Sequence, residues 1–177
     1  MPDHVVTIRP FTHDDAHAVL ELNNINVPEL NALDLPEVLR LAAMAEAALV
    51  AEVALADNDG VVLPEFAGFC WVIGPRQPYA SLNYGWFSRQ YDEFVYLDRI
   101  AVHSTYRRLG IGRSFYSAIV DLFVESRPVL LCEVNVRPRN ESSLRFHHSI
   151  GFREVGQQET DGGTKTVSLL ELALTDR

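Results

Sequence analysis

The stretch from Arg107 to Gly112 constrains the fold of this chain more than any other part of it. Its sequence, Arg-Arg-Leu-Gly-Ile-Gly, follows an apolar segment at 93–102 and leads into an amphipathic segment at 110–125. Another apolar segment comes next, at 129–135. This order predicts a strand, a glycine-containing turn, a helix and a second strand, which together form a strand-helix-strand unit.

The turn has the features of an anion-binding site. The first N–H groups of a helix have no intrahelical partner, and the helix dipole is positive at that end. Gly110 and Gly112 allow the backbone to approach a ligand closely, and Arg107, Arg108 and Arg113 add positive charge. We therefore expect a cradle for a pyrophosphate group at this turn.

Two better-known phosphate motifs fit this turn poorly. The nucleotide-binding P-loop requires a Gly-Lys pair, and the only lysine of the chain is Lys165. A dinucleotide fingerprint requires a third glycine at position 115, which is Phe115. The pattern therefore indicates a phosphate-bearing ligand of another kind.

The distribution of charge supports a small phosphate-bearing ligand. The net charge of −9 argues against a nucleic-acid partner. Residues 99–145 nevertheless carry eight arginines against four acidic residues, whereas residues 1–98 carry 15 acidic and 4 basic residues. A cationic region suits a phosphate, and the acidic remainder would attract a cationic substrate. Random scatter of surface charge remains the alternative.

Other features of the sequence indicate a cytoplasmic, soluble protein. No apolar run approaches the ~20 residues of a membrane span, and the first ten residues lack the pattern of a signal peptide. Cys70 and Cys132 lie in apolar runs, so we expect two reduced thiols in the core. We expect no zinc site, because no pair of histidines at ligand spacing accompanies them.

The rest of the chain predicts alternating helices and strands in one mixed α/β domain. Thr12 and Asp15 resemble a capping box that starts a helix, and Pro36 suits the first turn of another. The predicted strands are 5–9, 48–55, 66–73, 93–102, 129–135, 152–159 and 164–174, and the predicted helices are 12–24, 37–47, 110–125 and 140–150. A turn at 57–60 would join the second and third strands into a hairpin.

Residues 74–92 predict a long loop that is rich in aromatic side chains. A loop of this length inside a compact domain is usually functional. Two interpretations stay open: a lid over a substrate, and a packing loop that covers an edge of the sheet.

Two motifs give the chain a resemblance to a known family. Segments 96–102 and 107–112 resemble the fourth strand and the Gln/Arg-x-x-Gly-x-Gly/Ala loop of the GCN5-related N-acetyltransferases (GNAT). Segments 131–135, 140–146 and 151–152 resemble the fifth strand, the fourth helix and the start of the sixth strand of that family. The resemblance covers residues 94–155 closely, and the flanking regions match only in the order of elements.

The resemblance implies a fold and an activity. The fold would be a single domain over 1–177 with a twisted mixed sheet of six to seven strands, about four flanking helices, and splayed fourth and fifth strands. The activity would be transfer of the acetyl group of acetyl-CoA to a primary amine of a small molecule or peptide, by direct attack on the thioester. Transfer of a different acyl group and a catalytically silent acyl-CoA-binding domain are the alternatives, and a homodimer is left open.

The resemblance also implies which residues bind the cofactor. The backbone of the fourth strand pairs with the pantetheine arm in this family, and Asn140 matches a position that contacts the cofactor near the thioester. A cap of the following helix is the equal alternative for Asn140. The implied cofactor-binding residues are Ile100, Ala101, Val102, Arg107, Arg108, Leu109, Gly110, Ile111, Gly112, Arg113, Ser114 and Asn140.

Catalysis requires a base, because amines with pKa values of about 10 are protonated at neutral pH. Asp98 is the first candidate, and the alternative for it is an ion pair with Arg99 or another arginine. Glu93 and Glu133 are reserve candidates. His147 stands where many relatives carry a tyrosine that faces the coenzyme sulfur, so it is either a proton donor or a structural histidine.

Overall fold

The computed structural model describes residues 4–56 and 62–174. Within these ranges lie seven strands and five α-helices. The strands are β1 (His4–Pro10), β2 (Ala47–Ala56), β3 (Val62–Ile73), β4 (Val95–Val102), β5 (Val129–Arg137), β6 (Arg153–Thr160) and β7 (Lys165–Ala173). The helices are α1 (Ala16–Ile25), α2 (Leu35–Met44), α3 (Leu82–Gln90), α4 (Ile111–Phe123) and α5 (Glu141–Ser149). The hairpin turn predicted at 57–60 lies outside the described residues.

The strands form one mixed sheet in the order β1-β2-β3-β4-β5-β7-β6. The pairs β1–β2, β2–β3, β5–β7 and β6–β7 are antiparallel, and β4 is parallel to β5. The parallel ladder consists of two register pairs, Val95 with Leu130 and Tyr96 with Leu131, although both strands continue well beyond it. The predicted mixed sheet with splayed fourth and fifth strands is therefore confirmed.

The chain divides into two compact units. The first unit comprises Met1–Val72 and Asp98–Leu122, and the second comprises Ile73–Leu97 and Phe123–Arg177. This division does not test the single domain expected over 1–177, which stays a prediction. No helix in the described ranges has the combination of length and apolar character that crossing a membrane requires.

The helices of the first unit begin where the sequence predicts. The backbone N–H of Thr12 donates to Asp15 Oδ2 at 2.7 Å, which starts a short 3-10 turn that leads into α1. Helix α2 begins at Leu35 because Asp34 Oδ1 accepts a hydrogen bond from the N–H of Glu37 at 2.9 Å. The fully buried side chains in this unit include Val19, Val38, Val50, Phe69, Phe115 and Ile119.

A close backbone approach fixes β3 against β4 within the first unit. A Cβ placed on Gly68 would lie 2.6 Å from the backbone oxygen of Ala101 and 3.4 Å from the ring of Phe115. The N–H of His103, just after β4, donates to Ala67 O at 2.8 Å. Only glycine fits at position 68 with this spacing.

The second unit corrects one prediction. Residues 82–90 form helix α3, so the prediction of a continuous loop over 74–92 is wrong. Ser81 caps the helix, since its Oγ accepts from the N–H of Tyr84 at 3.2 Å. The ring of Tyr84 then packs edge-on against Phe94 and Tyr96 at centroid distances of 5.7 and 5.6 Å. Burial of this aromatic face stabilises a helix whose own sequence does not favour one.

Helix α3 also contacts β6 through a glycine. A Cβ placed on Gly156 would lie 2.9 Å from Cζ2 of Trp86. The indole therefore packs directly on the backbone of the strand, in a space that a larger residue would fill.

We expect Gly68→Ala to destabilise the protein by about 1–3 kcal/mol, because the added methyl group meets a backbone oxygen that cannot move away without displacing β4. Urea denaturation measures the change in the free energy of unfolding. The matched control is Gly85→Ala within α3, where a Cβ would meet only the end of Arg89 at 3.7 Å. That variant should gain about 0.5–1 kcal/mol from its higher helix propensity. Equal stabilities of the two variants would contradict the close approach.

Candidate functional site

The glycine-containing turn lies in the first unit, between β4 and α4. The backbone takes positive φ angles at Arg108 (68°) and Gly110 (83°), and α4 begins at Ile111. The first helical hydrogen bond runs from the N–H of Ser114 to Gly110 O at 3.0 Å. The N–H groups that precede Ser114 in the first turn therefore have no acceptor within the helix.

The surroundings of this turn fit a diphosphate. A Cβ placed on Gly110 would meet no atom within 4 Å, so the space beside its backbone is open. Arg107 and Arg108 are exposed, so their guanidinium groups can reach a ligand in solvent. Helix N–H groups, the positive end of the helix dipole and arginine side chains are the groups that bind phosphate esters.

Asp98 lies on the strand that leads to this turn. From Arg99 to Val102 of β4, burial alternates: Ile100 and Val102 are partly exposed, whereas Arg99 and Ala101 are buried. The two faces that strand alternation predicts are thus confirmed for this part of β4.

The Asp98 carboxylate forms an ion pair with its neighbour. Its Oδ2 accepts from Arg99 Nε at 3.1 Å, and only 6% of the Asp98 side chain is exposed. Arg99 also donates from Nη1 to Asn23 Oδ1 and to Asn31 O, both at 2.9 Å. The ion pair expected as the alternative to catalysis is therefore present, and Arg99 connects it to α1 and to the segment that follows α1.

Glu133 lies on β5 in the second unit and has different partners. Its Oε1 accepts from the hydroxyl of Tyr96 and from Nδ2 of Asn83, each at 2.9 Å. It stands just beyond the Tyr96–Leu131 pair, where the parallel ladder ends. The third carboxylate, Glu93, is exposed and pairs with Arg76 at 2.7 Å.

Asn83 was missed by sequence reasoning. It is buried on the first turn of α3 and contacts a residue fifty positions away in the chain. Ser81, which has the chemistry of a helix cap, is the sequence signal that could have placed a helix here.

Helix α5 of the second unit carries the two remaining candidates. Asn140 caps it, since its Oδ1 accepts from the N–H of Ser143 at 3.1 Å. The capping role predicted as one reading of Asn140 is therefore confirmed, and a contact with a cofactor stays a prediction.

His147 is buried in the last turn of α5 between aromatic rings. Phe146 and Phe152 lie edge-on to it at 5.5 and 5.3 Å. Its Nδ1 lies 2.7 Å from the backbone oxygen of Ser143, and because a carbonyl can only accept, Nδ1 carries the proton. Burial lowers the pKa of His147, and the bond to Ser143 raises it by a smaller amount. The neutral ring then has a lone pair at Nε2, so proton donation from Nε2 requires the cation that burial disfavours.

The structure therefore groups the predicted residues by unit. The first unit holds Asp98, the end of β4 and the glycine-containing turn, whereas the second holds Glu133, Asn140 and His147.

A family model described as "Acetyltransferase (GNAT) family" matches residues 32–152. The chain belongs to the GNAT family of acetyltransferases. The predicted resemblance is confirmed by this match, as are the class of enzyme, an acyltransferase, and acetyl-CoA as the cofactor. A search of curated protein sequences found no match.

Solved structures share the GNAT fold with this chain at low sequence identity. The ribosomal-protein-S18-alanine N-acetyltransferase from Escherichia coli is 17% identical, with a TM-score of 0.64 over 98% of this chain and 96% of that one. The structure of yncA from Salmonella typhimurium, which holds its cofactor acetyl-CoA, is 20% identical, with a TM-score of 0.66 over 98% and 96%. The smu.2055 protein from Streptococcus mutans is 18% identical, with a TM-score of 0.70 over 95% and 99%. These likenesses concern the fold.

The lowered pKa of His147 predicts a pH-dependent contribution to the stability of this GNAT protein. The unfolded chain binds a proton at His147 near pH 6.5, whereas the folded chain resists it, so stability falls as the pH drops below 6.5. We expect His147→Gln, which can still donate to Ser143 O, to lose less stability than the wild type between pH 7.5 and 5.5. Urea denaturation at both pH values measures the difference, with the exposed neighbour variant His148→Gln as the control. Equal pH dependence in wild type and His147→Gln would contradict the burial of this ring as the cause.

Proposed function

We propose that this GNAT protein transfers the acetyl group of acetyl-CoA to a primary amine of a small molecule or a peptide. The observation that carries the proposal is the turn at 107–112, where a positive φ at Gly110 presents the open start of α4 beside exposed arginines. Family membership supplies the class of reaction, and this turn supplies a place for the diphosphate of the cofactor.

The residues proposed to hold the cofactor are those that the resemblance to the GNAT family implies. N–H groups of the first turn of α4 would bind the diphosphate, and the arginines would neutralise it. The backbone of β4 at residues 100–102, beyond the end of the parallel ladder with β5, would bind the pantetheine arm. The proposed set is Ile100, Ala101, Val102, Arg107, Arg108, Leu109, Gly110, Ile111, Gly112, Arg113, Ser114 and Asn140.

The cofactor supplies an acetyl group activated on sulfur, which an unprotonated amine attacks directly. The protein must therefore accept a proton from the substrate ammonium before or during attack. We propose Glu133 for this role ahead of Asp98. Glu133 accepts hydrogen bonds from two neutral groups, whereas the Asp98 carboxylate is paired with the buried guanidinium of Arg99. An adjacent arginine favours the charged carboxylate, which makes it a weaker base.

His147 has a supporting role in this proposal. Its buried ring is neutral at pH 7 and donates from Nδ1 to the backbone of α5. We infer that His147 stabilises α5 through its bond to Ser143 O. The departing thiolate is then protonated by a donor other than His147.

The charge of the chain favours a cationic acceptor. Residues 1–98 carry 15 acidic side chains, and a net negative protein attracts an ammonium group over a distance of about a Debye length.

Cys70 and Cys132 are buried free thiols, and burial raises the pKa of Cys70. Reduced thiols support the cytoplasm as the compartment of the reaction.

Gly110→Ala tests the cradle. The substituted residue must keep a positive φ, which costs about 1–3 kcal/mol, and its methyl group enters the open space beside the turn. We expect CoA to bind about tenfold more weakly, which corresponds to about 1.4 kcal/mol, as measured by isothermal titration calorimetry. Gly162→Ala is the matched control, because Gly162 also has a positive φ (65°) and open space but lies in the turn between β6 and β7. An affinity for CoA that falls equally in both variants would count against the cradle.

Release of free thiol from acetyl-CoA across a panel of small amines and peptides tests the activity. We expect the wild type to release thiol with at least one amine, and Glu133→Gln to lower kcat about 100-fold or more, since an amide cannot accept the proton. Asp98→Asn should lower kcat much less. Both variants should bind CoA like the wild type.

Three results would change the proposal. A normal kcat in Glu133→Gln with a large loss in Asp98→Asn would return the role of base to Asp98. Thiol release with a longer acyl-CoA but not with acetyl-CoA would show that the protein transfers a longer acyl group instead of acetyl. CoA binding without thiol release for any amine would identify a silent acyl-CoA-binding domain.

A further inference from the structure

Helix α3 is attached to one face of the second unit by polar contacts at both ends. Asn83 in its first turn bonds to Glu133 of β5, and Tyr91 just after its last turn donates to Glu171 of β7 at 2.5 Å. Glu133 and Glu171 lie on the same face of the sheet, because their register partners Leu169 and Leu131 place them two residues apart along paired strands. Burial and the Glu171 carboxylate raise the pKa of Tyr91 to about 12, so the phenol stays a donor at neutral pH.

Asn83 connects two strands that are not neighbours in the sheet. Its Nδ2 donates to Glu133 Oε1 at 2.9 Å, and its Oδ1 accepts from Gln158 Nε2 of β6 at 2.8 Å. Strand β7 lies between β5 and β6 in the sheet order. The side chain of Asn83, only 9% exposed, therefore bridges across β7.

The direction of this hydrogen-bond chain is fixed by chemistry. An ionised carboxylate can only accept, so the Asn83 amide must turn its nitrogen toward Glu133. Its oxygen then faces Gln158, which can donate only from its own nitrogen. Gln158 therefore donates to Asn83 and Asn83 donates to Glu133, so each of the two amides has one orientation in this chain.

Stability alone gives little reason for this arrangement. A buried polar chain replaced by well-packed apolar side chains is commonly neutral or more stable. Helix α3 already has an apolar anchorage, since Phe87 is fully buried and its ring lies 5.9 Å from that of Tyr96. Tyr96 is itself the other donor to Glu133. Both donors act on the same oxygen, so together they fix the direction in which the carboxylate points.

We propose that Asn83 and Gln158 are positioning residues that orient the Glu133 carboxylate for proton transfer from the acceptor amine. This inference rests on the proposed function. A catalytic group must be held near its productive geometry by neighbours whose own conformations are locked, and small misplacements lower the rate by up to about 100-fold. Helix α3, within the segment 74–92, then contributes to catalysis because it holds the Glu133 carboxylate in position.

The test uses Asn83→Asp in the full chain. Aspartate keeps an oxygen for Gln158 but replaces the donor to Glu133 with a second carboxylate, which pushes Glu133 out of position. We expect kcat with the best amine of the panel to fall about tenfold to 100-fold, while the KM for acetyl-CoA stays within about twofold. A purely structural role would instead lower the amount of folded protein, and this would leave the kcat of the folded fraction unchanged.

A pair of glutamine variants provides the matched control. Gln158→Glu removes the donor to Asn83, and we expect a smaller fall in kcat of about threefold to tenfold. Gln157→Glu changes the adjacent residue, which bonds to Glu154 instead, and should leave kcat unchanged. If Asn83→Asp does not fold, Gln158→Glu alone tests the positioning role.

A double mutant separates this inference from the proposed function. If Asn83 acts through Glu133, adding Asn83→Asp to Glu133→Gln should lower kcat no further, and the new amide at 133 should restore a hydrogen bond to position 83. Additive losses, or a normal kcat in both Asn83→Asp and Gln158→Glu with an active wild type, would overturn the positioning role and leave the transferase standing. A wild type that binds CoA but releases no thiol with any amine would overturn the transferase, and the positioning role with it.

Discussion

The positive φ at Gly110 is the constraint on which the first unit depends. The chain leaves β4 and must reverse direction into α4 within a few residues, and Arg108 and Gly110 take left-handed conformations to do so. This turn leaves the first amide groups of α4 without an acceptor inside the helix, and the space beside Gly110 is open. A helix that began with an ordinary side chain at position 110 would strain the turn, so the requirement for glycine and the anion-binding geometry have the same origin.

In the second unit, the largely apolar strand β5 carries a carboxylate, Glu133. Glu133 follows four buried residues of β5, and the cost of its partial burial is offset by hydrogen bonds from Asn83 and Tyr96. The first unit treats Asp98 in another way, with a buried arginine as the partner. The Asp98 carboxylate of the first unit thus accepts from a cation, whereas the Glu133 carboxylate of the second unit accepts from two neutral groups.

Much of the fold could be predicted because local patterns dominate it. Alternation along β4, the acidic cap at Thr12 and Asp15, and the glycine-containing turn all act over a few residues, so a single sequence reveals them. Helix α3 could not be predicted in this way. Its residues Tyr84, Gly85 and Trp86 have modest helix propensity, and the helix forms because aromatic side chains pack on strands far away in the chain. The partners of Glu133 were hidden for the same reason, since Asn83 and Tyr96 reach it only through the tertiary fold.

The contact between Trp86 and Gly156 gives the protein an internal optical probe. The chain has two tryptophans, and Trp71 is almost fully buried on β3, whereas Trp86 is partly exposed on the backbone of β6. An indole that leaves such a surface enters water, and its emission shifts to longer wavelength and changes in intensity. Native fluorescence can therefore report, in real time and without a label, whether α3 stays packed against β6, including while ligands are added.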